Sequence, residues 1–148
     1  MEAKEYLKSI KRMDTIIDGM IKERDQLRGM RYKITQVLNP VKVSGGGTNE
    51  GFTGASNRLL DLEEEINREV DRFADLKQEA GDMLKRLEDP KHYEVLHRHY
   101  ILYESFEKIA VDMDCTYRNA CYLHGRALQV FQRVLDKHGI DRKAGTKE

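Results

Sequence analysis

The sequence predicts an all-α chain: a long antiparallel, coiled-coil-like helical hairpin followed by a three-helix head that contains a helix-turn-helix. Three observations point there. Two long stretches carry apolar residues at alternating spacings of three and four, a glycine-rich segment separates them, and two short amphipathic segments with a three-residue joint follow. Of the 148 residues, 39% are apolar and 35% charged, which is too charged for one large globular core but enough for a small domain on a helical stalk. The expected domains are therefore a hairpin over 1–88, a head over 89–138 and a charged tail over 139–148.

The first arm is read from Tyr6, Ile10, Met13, Ile17, Met20, Leu27, Met30, Ile34 and Val37, with Arg24 interrupting the seam. The second is read from Leu59, Leu62, Ile66, Val70, Phe73, Leu76, Ala80, Met83 and Leu87. Both seams average close to the coiled-coil period of roughly 3.5 residues. Each arm spans about 48 Å at about 1.5 Å per residue, and a seam of that length calls for a partner helix along it. Between them, Asn39–Asn57 holds Pro40 and five glycines and reads as a flexible linker, long enough for an antiparallel return. Charge favours the same pairing: residues 1–38 hold nine basic and six acidic side chains, and residues 57–88 six basic and ten acidic. Exposed pairs contribute only about 0.2–1 kcal/mol each, so the apolar seam carries the stability and the charges select the partner. A homodimer that pairs the same seams between chains is also open to this sequence.

Asp89-Pro90 closes the second arm and opens the head, because Asp caps a helix and Pro fits its first turn. The helix expected over 91–102 turns Tyr93, Leu96 and Tyr100 toward the two helices that follow. Ser105 is an N-cap, and Phe106, Ile109, Ala110 and Met113 fall on one face of a short helix. Asp114-Cys115-Thr116 breaks it, and Thr116 caps a longer helix whose inward residues are Ala120, Leu123, Ala127 and Leu128. Small Ala110 and Ala120 suit two helices that cross steeply within three residues. Gly139 is read as the C-terminal stop, followed by a mobile tail in which Arg142, Lys143 and Lys147 are available to phosphate.

With the inward set fixed, Tyr117, Arg118, Asn119, Cys121, Tyr122 and Arg126 remain on or near the outer face of the last helix. Arg118 and Asn119 lie in its first turn, where the planar donors of Arg and Asn suit guanine and adenine edges. Tyr117 and Tyr122 can stack on sugars or bond phosphates. The expected partner is double-stranded DNA, engaged through a local patch, since 26 basic and 26 acidic residues leave no global field.

The stretch Asp89–Leu128 resembles region 4 of sigma-70-type factors, through His99-Tyr100-Ile101, Ser105, Ile109-Ala110, Thr116, Ala120 and Arg126-Ala127-Leu128. With Leu87-Glu88-Asp89-Pro90, Leu123–Leu128 and the acidic helix upstream, it also resembles a family of small transcriptional regulators encoded by phages and prophages of Gram-positive bacteria. The resemblance implies that Thr116 caps the recognition helix near a phosphate and that Tyr117, Arg118, Cys121 and Tyr122 face bases or backbone. It also implies control of promoters of phage or prophage genes, and contact with host RNA polymerase. Two departures stand out. Leu102-Tyr103-Glu104 occupies a turn that holds a Gly in the family, and Cys121 stands where sigma-type helices are often basic.

Other classes find little support. Glycine-loop, Gly-x-Ser-x-Gly and HExxH motifs are absent, and Gly45-Gly46-Gly47 lacks a following Lys-Ser/Thr, so no enzyme and no cofactor are expected. Cys115 and Cys121 form no CxxC pair and read as reduced, half-buried thiols. His92, His97 and His99 are spaced by five and two, which does not set metal ligands on one helical face. No 18-residue apolar run or secretory leader is present, which predicts a cytoplasmic protein without a membrane partner. The alternative function is a helical scaffold or adaptor, such as a small terminase subunit in DNA packaging.

Overall fold

A computed structural model describes residues 1–38 and 50–145, and the side chains of 1–34, 36 and 54–139. Among these residues the chain has five α-helices and no strand, in the all-α class expected. They are α1 (Ala3–Leu38), α2 (Glu50–Leu84), α3 (Pro90–Leu96), α4 (Phe106–Asp112) and α5 (Tyr117–Gly145); α3 runs directly into a π-helical turn, His97–Ile101. No described helix is long and apolar enough to cross a membrane.

The chain divides into two compact units, Met13–Arg72 and Met1–Arg12 with Phe73–Glu148. In the first, α1 and α2 lie side by side. Ile17, Leu59, Leu62 and Ile66 are buried, and Arg28 bridges to Glu63 at 2.7 Å across the pair. The seam is only partly covered, for Met30 and Val70 are exposed and Arg24 turns to Asp25.

The second unit contains the expected head, α3–α5, but its core draws on all five helices. One cluster joins Ala3, Tyr6, Leu7 and Ile10 of α1, Ala80, Met83 and Leu84 at the end of α2, Leu87 in the turn that follows, and Val95, Leu96, Tyr100, Ile109, Ala127 and Phe131 of the head. The physical reason is size. Helices α3 and α4 have seven residues each, too few to enclose α5 from all sides. Fully burying a side chain such as Leu7 or Phe131 contributes about 1.5–3 kcal/mol, so the ends of both arms stabilise the head directly. Polar groups fasten the start of α1 as well: Gln132 accepts from the Ala3 amide at 2.6 Å and donates to the Met1 carbonyl at 3.2 Å. Packing thus draws the ends of both arms and the head into one compact unit, Met1–Arg12 with Phe73–Glu148.

Two expectations on boundaries are corrected. The linker read over 39–57 is shorter, because α2 begins at Glu50; residues 39–49 lie outside the described residues. Isolated Gly51 and Gly54 cost about 1 kcal/mol each, which a propagating helix absorbs. Likewise α5 does not stop at Gly139 but continues to Gly145. Gly139 does not take the left-handed conformation of a helix stop, and Arg142, Lys143 and Ala144 beyond it are good helix formers. Lys147 lies outside the described residues.

Candidate nucleic-acid interface

The helix-turn-helix is built by caps and two left-handed residues. Tyr103, at φ 58°, itself adopts the conformation for which the related turn uses Gly, and it delivers Ser105 in an extended conformation to start α4. The Ser105 hydroxyl accepts from the Lys108 amide at 3.2 Å. After Asp112 the chain turns through Asp114 at φ 57°, and the Cys115 amide donates back to the Ala110 carbonyl at 2.9 Å. Asp tolerates this conformation better than most residues. Thr116 Oγ1 then accepts from the Asn119 amide at 3.1 Å and opens α5. Ala110 and Ala120 are both buried, as the close crossing of α4 and α5 requires.

A charged brace and an aromatic cluster hold this joint. Arg98 donates to Glu94 at 2.9 Å, Glu104 at 3.2 Å and Asp112 at 3.1 Å, tying α3, the turn and α4 together. His99 stacks on Phe106 with centroids 4.1 Å apart, and its Nδ1 donates to the Glu104 carbonyl at 2.9 Å, since a carbonyl can only accept. Tyr100 Oη and His124 Nε2 are joined by a hydrogen bond of 2.8 Å. Burial pushes the Tyr100 phenol up to about 12. Burial first, then the charges of His99 and Lys4, push His124 down to about 4. His92, His97 and His99 are half-buried, and the structural part played by His99 and His124 was not legible from spacing.

Opposite this packed side, the start of α5 is open. Thr116, Tyr117, Arg118, Asn119, Tyr122 and Arg126 are all exposed, Tyr122 by 68%. Cys121 is half-buried at the flank and hydrogen-bonds the Tyr117 side chain, which holds that phenol above its ordinary range. Cys121 is thus placed to fix Tyr117 rather than to lead the face. Cys115 is also half-buried, and both thiols are free.

The face continues along α5 beyond the helix-turn-helix. Arg118, Tyr122, Arg126, Gln129, Arg133 and Lys137 follow one another by four, four, three, four and four residues, one stripe of an α-helix. From Tyr117 to Gly139 the helix carries four Lys/Arg and one acidic residue, Asp136, whose carboxylate accepts from Gln132 at 3.0 Å. A chain of zero net charge has therefore concentrated positive charge on this face. Arg133 and Lys137 lie beyond the motif's end at Leu128, and the continuing three-four spacing is the sequence signal for them.

No family model, curated protein or solved structure matches this chain.

Proposed function

We propose that this protein is a DNA-binding transcriptional regulator of phage or prophage genes, using a sigma region 4-like helix-turn-helix and acting in the cytoplasm of the host cell. The observation that carries this reading is the outer face of α5. Its first three turns expose Thr116, Tyr117, Arg118, Asn119, Tyr122 and Arg126 together, on a helix held from behind by the His99–His124 cluster. Such a face suits the major groove: Arg118 and Asn119 reach base edges, Thr116 and the tyrosines reach phosphate and sugar, and Arg126 follows the backbone. Rigid support matters because base readout requires donors fixed to within about 0.5 Å.

The role is binding rather than catalytic, and contact with host RNA polymerase follows from the same resemblance to region 4. Recovery of genomic DNA bound to the tagged protein tests the reading. One sharply enriched phage promoter supports it, and an even background overturns it. Mass in solution separates it from a packaging scaffold, for which a large ring is expected in place of a monomer or dimer.

A further inference from the structure

We infer that the C-terminal half of α5 and the turn from α2 to α3 form a second, phosphate-binding cleft that clamps the DNA backbone beside the groove occupied by the start of α5. The inference rests on the DNA-binding reading above and extends it to residues outside the helix-turn-helix.

The cleft has a volume of about 400 Å³. Its floor is apolar, formed by Leu87, Val130 and Val134, and its rim carries Arg86, Arg133 and Lys137. None of these three cations has a carboxylate within ion-pair distance among the described residues, whereas Arg24, Arg28, Arg72, Lys85, Arg98 and Lys108 all do. Of the two carboxylates at the cleft, Asp89 is already engaged, accepting from the Lys91 amide at 2.9 Å and facing His92 at 3.7 Å. Glu88 is the other, so the rim keeps an excess of positive charge. An apolar wall beside unpaired cations focuses their field on an incoming anion.

Position along α5 identifies that anion. Arg118 to Arg126 spans about 12 Å of helix, which matches the width of the major groove. Arg133 and Lys137 lie roughly 10 and 17 Å beyond Arg126 on the same stripe, past the groove and level with the flanking sugar-phosphate strand. An acidic protein partner would also suit the charge, but it would not explain why the cations continue the stripe that starts at Arg118.

The test is a salt titration of binding to a 30-base-pair mixed-sequence duplex, comparing wild type, Arg118→Ala, Arg133→Gln and the triple variant R86Q/R133Q/K137Q. Each neutralised phosphate adds about −0.9 to the slope of log affinity against log salt. Arg133→Gln should therefore flatten the slope by about 1 and the triple variant by about 2–3, with unchanged thermal melting because all three side chains are exposed. Wild-type and triple-variant slopes that coincide overturn the cleft while leaving the helix-turn-helix reading intact, provided Arg118→Ala still weakens binding to an enriched promoter. Failure of the wild type to bind any duplex overturns both.

Discussion

Individual side chains divide here into those that face out and those that hold the joint, and the two kinds fail differently. Arg118 is exposed and has no ion-pair partner among the described residues, so Arg118→Ala should leave melting unchanged. It should weaken binding to the specific promoter by about 1–3 kcal/mol if the guanidinium grips a base edge. Ile109 is fully buried between α4 and its neighbours, and Ile109→Ala should instead cost about 2–5 kcal/mol of stability. Calorimetric melting alongside promoter titration distinguishes these losses. His124 adds a dependence on pH. It titrates near 4 in the folded protein and close to 6.5 when unfolded, so the folded state binds fewer protons between those values. Its contribution is complete above about pH 6.5, declines as pH falls toward 4 and stays lost below. Melting temperature should drop across that window in the wild type, and His124→Gln should show a smaller drop. An equal drop in the variant would assign the acid sensitivity to the carboxylates.

At the scale of elements, α5 serves both the face and the core. Phe131 is its largest fully buried side chain, 6.3 Å from the Tyr6 ring between centroids. Phe131→Ala should destabilise the unit by about 3–5 kcal/mol, measured by urea titration. It should leave the slope of DNA binding against salt unchanged in the folded fraction, because the residue faces away from the stripe. Features governed by local chemistry were legible in the sequence. Ser105, Thr116 and Asp89 cap where expected, and Ala110 and Ala120 sit at the crossing. Features governed by distant packing were not. Leu7 and Leu84 fall one residue outside the three-four seam, yet both are fully buried because the head turns a broad surface to the arms rather than a narrow stripe. Gly51, Gly54 and Gly139 do not end a helix, because a cost of about 1 kcal/mol per glycine is smaller than the cooperativity of a long helix.

In the molecule as a whole, two helices, α1 and α2, each belong to both compact units. Residues Ala3–Ile10 of α1 complete the core that supports the candidate DNA face, while Met13 onward pairs with α2 in the other unit. Removing the first turns of α1 would take Ala3, Tyr6, Leu7 and Ile10 out of this core and uncover Phe131 beside Tyr6. Two charge insertions separate the units. Ile66→Asp places a carboxylate in the buried strip with Leu59 and Leu62, and should lower hydrogen-exchange protection over 13–34 and 54–72 while α4 and α5 keep theirs. Leu7→Asp buries a charge under the head and should lower protection across α3, α4 and the first half of α5, abolishing duplex binding although it changes no residue on the exposed face. If Leu7→Asp left α4 and α5 protected, three helices would suffice for the head and the first turns of α1 would be mere covering. The converse result, loss in α4 and α5 from Ile66→Asp, would show that the two units unfold as one.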